Sequence, residues 1–383
     1  MAWRYHPCLG TPNKSSVAVV KIVSMDIFPI RLRLETPVQM SSGAIASTGN
    51  VLVRLIADVG LEGWGEGVEA PALTGSTQSD IVSDLESLRD LVVGSDPRRI
   101  HEVWFRLRTT LPEASTALGA IDIALHDLVA KVYAVPVHAL IGGAVRHRVP
   151  ALTLLGSGDY DADLVRLKEK HDEGYSWFKI KVGMAPAETE WRTISQAVDL
   201  IGDDGVVCAD ANEAWGEEEA VRFLDGLEGM PVRFVEQPVL RHDSEALHRV
   251  AQRSPIPICA DESAGDLAAV VELAGSGVAG VSLKLIKHGG ITGVMRGGAI
   301  CSASGLAVNL AGKVIESSIS AAANLHCAAA LDRIDYGCSP ANQGVVLDVT
   351  ADPIAVDRGG YLVPNRPGLG VEVDEDLVAE LAS

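Results

Sequence analysis

Three short apolar runs that each end in a carboxylate decide the fold of this chain: V-V-C-A-D at 206–210, V-R-F-V-E at 232–236 and P-I-C-A-D at 257–261. Their acids, Asp210, Glu236 and Asp261, are 26 (236 − 210) and 25 (261 − 236) residues apart. Strand ends that recur at this interval are typical of a barrel of βα units, which keeps its chemistry at the carboxyl ends of its strands. We therefore expect the three side chains to meet at one mouth of a barrel.

Lysines end the runs on either side of these acids. K-I-K at 179–181 closes 29 residues before Asp210 (210 − 181), and Lys284 lies 23 residues after Asp261 (284 − 261). Lys179 and Lys181 share one face of a strand because they are two positions apart. Three crowded carboxylates repel one another unless a cation joins them. Oxygen ligands without His or Cys favour Mg²⁺, with Mn²⁺ as a possible substitute.

The chain as a whole predicts an α/β protein of four parts. Eight apolar runs alternate with helix-period segments over 144–344, which predicts a parallel barrel. Residues 18–143 predict an α+β domain, with a three-stranded antiparallel sheet within 18–67 and a helix at about 115–133. The tail, 345–383, predicts a hairpin at 353–364 and a strand at 367–374, and we expect it to pack on the N-terminal domain. Residues 1–17 are expected to form a loose arm.

Composition excludes several classes of partner. The chain has 383 residues, 51 acidic against 32 basic, and a formal net charge of −19, so nucleic acid and anionic membranes are not expected partners. It contains no run of about 18 apolar residues, so no membrane span is expected. The six cysteines form no C-x-x-C pair, which favours a reduced, cytoplasmic protein. Cys208 and Cys259, each two residues before a carboxylate, are expected to fill the barrel interior.

Together these residues suit proton transfer at the carbon next to a carboxylate. A bound dication would hold the substrate carboxylate and stabilise the enediolate that forms when the α-proton leaves. Bases on both faces permit removal on one side and return on the other, or removal coupled to loss or addition of a group at the β-carbon. Asn212 and Glu262 are expected to support the ligands, although either could be a helix cap or a surface group. The alternative for the lysines is structural ion pairing with the acids.

The motifs also resemble those of the enolase superfamily, in its muconate-cycloisomerase branch. The likeness covers about residues 21–377 and rests on K-I-K at 179–181, D-A-N at 210–212, V-E-Q-P at 235–238, A-D-E-S at 260–263, S-L-K-L-I-K-H-G-G-I-T at 282–292 and V-I-E-S-S-I at 314–319. The resemblance implies a (β/α)7β modified TIM barrel, an N-terminal capping domain completed by the C-terminal tail, and a homo-oligomer, either dimer or octamer. It implies Mg²⁺ on Asp210, Glu236 and Asp261, and Lys181 and Lys284 as acid/base catalysts. It places Lys179 beside the substrate carboxylate and assigns substrate positioning to Glu316.

Some positions depart from the resembled pattern. Lys313 stands where related enzymes often have an apolar residue, and it could meet an anionic substrate group or pair with Glu316. N-L-A-G-K at 309–313 has no histidine base, which disfavours the mandelate-racemase branch, and enolase itself uses a different lysine and glutamate pattern. The segment I-D-Y-G-C-S-P at 334–340 lacks the D-x-D of dipeptide epimerases. A capping loop over about 36–49 carries no charge.

We therefore expect a small carboxylate as substrate. The leading hypothesis is a racemase or epimerase of an amino acid or an N-substituted amino acid. A muconate-type cycloisomerase is second, and a dehydratase of o-succinylbenzoate-synthase or hydroxy-acid type is third. A non-catalytic binding barrel is the alternative from a different class.

Overall fold

The computed structural model describes residues 20–40 and 43–382, so the predicted N-terminal arm lies outside the described residues. It begins with the predicted three-stranded antiparallel sheet, in which each strand pairs with the next along the chain. The strands are β1 (Ile22–Met40), β2 (Gly43–Ala57) and β3 (Glu62–Val68).

Five helices follow the sheet. They are α1 (Pro71–Thr74), α2 (Gln78–Val92), α3 (Ile100–Thr110), α4 (Ser115–Val132) and α5 (Val137–Leu140). Helix α4 agrees with the prediction and is buried along nearly its whole length, because the sheet covers one side and barrel helices cover another. A Cβ at Gly65 of β3 would lie 1.9 Å from the carbonyl oxygen of Ala120, so only glycine permits this close approach of strand and helix.

The second part is the predicted (β/α)7β barrel. After a short strand, β4 (Arg148–Pro150), all eight predicted apolar runs form parallel strands in sequential order. They are β5 (Leu152–Leu155), β6 (Trp177–Lys181), β7 (Val206–Asp210), β8 (Val232–Glu236), β9 (Ile258–Ala260), β10 (Gly280–Leu283), β11 (Ala307–Ala311) and β12 (Cys338–Ser339). A bridge between Ala151 and Cys338 joins the two edges of the sheet.

Helices occupy every connection between consecutive barrel strands. They are α6 (Tyr160–Asp172), α7 (Ala187–Ile201), α8 (Glu217–Asp225), α9 (Ser244–Arg253), α10 (Leu267–Leu273), α11 (Leu285–His288), α12 (Gly290–Ser304) and α13 (Ser318–Ala330). Side chains fill the barrel axis, including Phe234 stacked on Tyr336 with Cys208 and Cys259 beside them. This confirms the prediction that the two cysteines are interior.

The C-terminal segment differs from the prediction. Residues 367–374 form only isolated bridges, so the predicted strand is wrong, and a helix that the sequence analysis did not predict, α14 (Glu375–Leu381), follows. The predicted hairpin is a tight turn at Asp357–Gly360, and its second arm, β13 (Gly360–Leu362), pairs with β4. Backbone groups that a regular strand would pair are used elsewhere, as when the amide of Leu369 donates to Asp127 of α4.

The segment at 36–49, which the resemblance implied to be a capping loop, is largely strand. Residues 36–40 end β1 and residues 43–49 begin β2, so the segment forms a hairpin that reaches the barrel. The amide of Gln39 donates to the carbonyl of Gly156, 2.8 Å away, just after β5. No helix among the described residues is long and apolar enough to cross a bilayer.

Candidate active site

A cavity of about 740 Å³ lies between the capping sheet and the carboxyl ends of the barrel strands. The hairpin of β1 and β2 and the short helix α1 line one side, and strand-end residues line the other. Its polar lining includes eight of the ten predicted site residues, which are grouped at the strand ends: Lys179, Lys181, Asp210, Asn212, Glu236, Asp261, Glu262 and Lys284. Lys313 also lines the cavity, whereas Glu316 lies just behind it.

Parallel register brings the β6 lysines to the acids. Lys181 is the register partner of Asp210, and Asp210 is the partner of Glu236 on the next strand. The Lys181 ammonium group donates to Asp210 Oδ2 at 2.7 Å and also to the amide oxygen of Asn212. Lys179 donates to Glu236 Oε2. Each β6 lysine therefore serves its own carboxylate.

The β10 side is built differently. Lys284 donates to Asp261 Oδ2 at 2.6 Å, and Lys287, one turn later in α11, donates to Asp261 Oδ1 at 2.8 Å. Lys287 also donates to the carbonyl oxygens of Asp261 and Ser282 and is fully buried. Lys287 was not among the predicted site residues, although its i+3 spacing from Lys284 within K-L-I-K was the available signal.

Charge pairing controls the protonation of these groups. Burial alone would lower the pKa of Lys179 and of Lys284, but Glu236 acting on Lys179 and Asp261 acting on Lys284 outweigh it and hold both pKa values above the ordinary range. Burial would raise the pKa of Asp261, yet Lys284 and Lys287 hold it well below its usual value. The lysines are thus the counterions of the three acids in this structure.

The donor set suits a divalent cation in chemistry and in charge. Burial, followed by the charges of Asp261 and Asp210, raises the pKa of Glu262 to about 8, and its buried Oε2 atom has no hydrogen-bond partner among the described residues. The negative charges of Asp261 and Asp210 thus act with burial to keep the Glu262 carboxyl protonated. Within residues 20–40 and 43–382, however, no three His, Cys, Asp or Glu side chains are grouped as a metal site while the ammonium groups bond the acids. Asp210, Glu236 and Asp261 remain the predicted ligands.

Strained backbone accompanies the strand ends. Asn212, Glu213 and Gln237 all have positive φ, at 43°, 65° and 36°, directly after β7 and β8. Such conformations persist only where the surroundings enforce them, and they concentrate at functional sites. Asn212 links two parts of the site, because its oxygen accepts from Lys181 and its nitrogen donates to Glu262 at 3.2 Å. The prediction that Asn212 and Glu262 support the ligands thus has a geometric basis.

Gln237 and Ser282 also hold two of the acids in position, and neither residue was predicted. Gln237 accepts from the amides of Asp261 and Ser263, each at 3.0 Å, so it holds the start of the loop after β9. Ser282 donates to Glu236 Oε1 and itself accepts from Asn309 Nδ2 at 2.8 Å. These contacts orient Asp261 and Glu236 independently of the lysines.

The loop after β11 carries the remaining two predicted residues. Glu316 is 1% exposed; its carboxylate accepts from the backbone amide of Lys313 at 2.7 Å and from Asn324 at 3.3 Å. Burial raises the pKa of Glu316 to about 8. Glu316 therefore holds the loop that presents Lys313 to the cavity. The two side chains do not form a salt bridge in the described part of the chain.

Comparison with known proteins agrees with this architecture. Residues 12–142 match the model of the mandelate racemase / muconate lactonizing enzyme N-terminal domain, and residues 163–377 match that of the enolase C-terminal domain-like family. The chain is 33% identical to a chloromuconate cycloisomerase of Pseudomonas putida, over 93% of this chain and 98% of that protein.

Two solved structures are also similar. One is the muconate lactonizing enzyme of Pseudomonas fluorescens complexed with muconolactone, with a TM-score of 0.91 and 26% identity over 95% of this chain and 99% of that one. The other is the dipeptide epimerase of Enterococcus faecalis V583 complexed with Mg and the dipeptide L-Leu-L-Tyr, with a TM-score of 0.87 and 27% identity over 92% of this chain and 99% of that one.

A capped barrel with lysines and carboxylates at its strand ends defines an isomerase of the enolase superfamily. The chain belongs to the mandelate racemase / muconate lactonizing enzyme branch of that superfamily. This confirms the resemblance that its motifs carried and the predicted class of enzyme.

Proposed function

We propose that this isomerase moves a proton at the carbon next to a substrate carboxylate, with Lys181 and Lys284 as its two acid/base groups. The observation that carries the proposal is their placement: one lies on β6 and the other just after β10, on opposite sides of the three acids. A substrate carboxylate held between them exposes one face of its α-carbon to each amine. Both faces are therefore within reach of a proton acceptor or donor.

Asp210, Glu236 and Asp261 would hold a divalent cation, Mg²⁺ or Mn²⁺. When bound, the cation stabilises the negative charge that develops on the substrate carboxylate as the α-proton leaves. Lys181 removes the proton from one face, and Lys284 returns a proton to the other. Lys179 and Lys287 keep Glu236 and Asp261 in place, and the capping hairpin with α1 covers one side of the cavity.

Racemisation or epimerisation of an amino acid or an N-substituted amino acid is the overall reaction that this two-sided arrangement supports best. The similarity to a dipeptide epimerase supports it as well. Muconate-type cycloisomerisation is the second candidate, and the 33% identity to a chloromuconate cycloisomerase favours it. In that reaction one lysine supplies the proton and the other needs no proton-transfer role.

Proton exchange separates the two reactions. We expect the Mg²⁺-loaded enzyme in D₂O to exchange the α-proton of both enantiomers of an N-succinyl amino acid, or of both epimers of a dipeptide. NMR follows the loss of the α-proton signal. In K181A and in K284A, exchange should disappear from one enantiomer, a different one in each variant, because each lysine serves one face. K168A, which removes an exposed lysine paired with Asp172, is the matched control and should keep both exchanges.

Two results would count against this assignment. Loss of exchange from both enantiomers in either single variant contradicts the two-base arrangement. Absence of any exchange together with turnover of cis,cis-muconate selects the cycloisomerase instead.

A further inference from the structure

Lys313 is a cavity cation that differs from the lysines already described. Lys179, Lys181, Lys284 and Lys287 each bond one of the three acids. The Lys313 ammonium group makes no hydrogen bond and no salt bridge in the part of the chain that the structure describes. It is half-buried and lines the cavity. A cation removed from water without a partner is costly, and such groups normally await a ligand or serve chemistry.

The loop that carries Lys313 is held rigidly by both parts of the molecule. Ile315 has φ of 68°, which is a strained conformation for a β-branched residue. Its carbonyl oxygen accepts from Thr48 Oγ1 at 3.2 Å and from Asn50 Nδ2 at 3.1 Å, both on β2 of the capping sheet. On the barrel side, the Glu316 carboxylate accepts from the backbone amide of Lys313. The position of this cation is therefore built into the contact between cap and barrel.

The electrostatic surroundings of Lys313 favour a single negative charge. Burial, together with the positive charges of Lys284 and Lys181, lowers its pKa to about 8, and Glu316 and Glu69 oppose that change. Lys313 is thus mostly protonated at neutral pH, while Glu316, whose own pKa is raised to about 8, carries little negative charge beside it. A carboxylate supplies the single negative charge that this one cation lacks, whereas a phosphate dianion would leave one of its charges without a partner.

We propose that Lys313 binds a second carboxylate of the substrate, so that the natural substrate is a dicarboxylate with one end at the three acids and the other at the loop after β11. The inference builds on the proposed function, because the first carboxylate is the one next to the reacting carbon. It makes Lys313 a specificity residue rather than a proton-transfer group. It also gives the uncharged hairpin at 36–49 a simple role as a cover over the middle of the substrate.

Direct binding tests this without turnover. Calorimetry on the Mg²⁺-loaded protein would compare succinate, glutarate and adipate with butyrate, pentanoate and hexanoate, the monocarboxylates of matched length. We expect at least one dicarboxylate to bind about 10- to 100-fold more tightly than its monocarboxylate, the usual range for one hydrogen bond to a charged group. K313M should remove that preference without weakening the monocarboxylate, and K313R should restore part of it.

K168M is the matched control for loss of a lysine and should retain the preference. A wild-type protein that binds each pair equally, or a K313M variant that keeps the preference, overturns the inference. Either outcome leaves the exchange experiment on Lys181 and Lys284 intact. Conversely, dicarboxylate preference in a protein that exchanges no α-proton would sustain the role of Lys313 while the proposed reaction failed.

Discussion

Buried carboxylates occur in two regions of this molecule and are satisfied in different ways. At the strand ends, Asp210 and Asp261 bond to lysine ammonium groups on long, flexible side chains. Where the N-terminal domain meets the barrel, Glu66 and Asp122 bond mainly to groups at helix N-termini, and Asp122 Oδ2 also lies 3.4 Å from His126 Nδ1. Ammonium groups can move off a carboxylate and let another cation take their place, whereas backbone N–H groups cannot. The first arrangement suits a site that binds a cation. The second suits a fixed contact between the N-terminal domain and the barrel, which is called the joint below.

The joint has two such points. Glu66 of β3 accepts from the backbone amide and hydroxyl of Ser317 and from the amide of Ser320, at the start of α13. Asp122 of α4 accepts from the backbone amide of Thr292 at 2.9 Å and from its hydroxyl at 2.6 Å, in the first turn of α12. Both α12 and α13 are barrel helices. The N-terminal domain is therefore fixed to the barrel through two carboxylates, each bound at the positive N-terminus of a helix.

Removing a site carboxylate should give the largest loss of stability. Asp261→Asn leaves both Lys284 and Lys287 buried without a counterion, so the free energy of unfolding in EDTA should fall by about 3–5 kcal/mol. Asp210→Asn strands only Lys181 and should cost less. Urea denaturation measures both, with Asp199→Asn on the surface as the control. Added Mg²⁺ should raise the melting temperature of the wild type but not of Asp261→Asn.

Equal losses in Asp261→Asn and Asp210→Asn would show that Lys287 does not depend on Asp261. An unchanged Mg²⁺ effect in Asp261→Asn would remove this residue from the predicted ligand set.

At the joint, the smaller change Glu66→Gln should cost about 2 kcal/mol, because an amide nitrogen then faces backbone donors that cannot reverse their role. The matched variant Asp122→Asn should cost less, since the Thr292 hydroxyl can turn and accept from the new amide. Only Glu66→Gln should also raise KM, because Glu66 holds Ser317 next to the loop of Lys313. Denaturation and steady-state kinetics on both variants test the difference, and a KM that rises equally in both would refute it.

The sequence predicted the site better than the joint. All eight barrel strands and the five groups at their ends follow from a regular interval and the two-residue period of a strand. Lys287 was not predicted because α11 begins directly after β10, where the spacing of side chains on one face changes from that of a strand to that of a helix. Glu66 and Gln237 escaped because their partners are set by tertiary contact, at separations such as the 251 residues between Glu66 and Ser317. The tail at 367–374 was misassigned because alternation in an isolated segment does not require a neighbouring strand to pair with. The predicted roles of the site residues, the domain limits and the oligomeric state stay predictions.

The smallest expected change in unfolding free energy comes from His326, an uncharged side chain that joins α13 to the C-terminal tail. His326 bonds the carbonyl of Leu369 through Nε2 at 3.1 Å and accepts from the amide of His138 at 3.2 Å, and burial lowers its pKa to about 4. The unfolded chain therefore binds this proton near pH 6.5 while the folded protein does not, so the stabilisation present above pH 6.5 is lost as the pH falls towards 4.

Between pH 7 and pH 5.5 the His326 contribution should fall by about 1 kcal/mol. The measurement is the difference in unfolding free energy between the wild type and His326→Gln at the two pH values, with exposed His101→Gln as the control. Carboxylates that titrate in the same range cancel in that difference, because both proteins contain them. If the difference stays constant with pH, His326 is not held neutral in the folded protein.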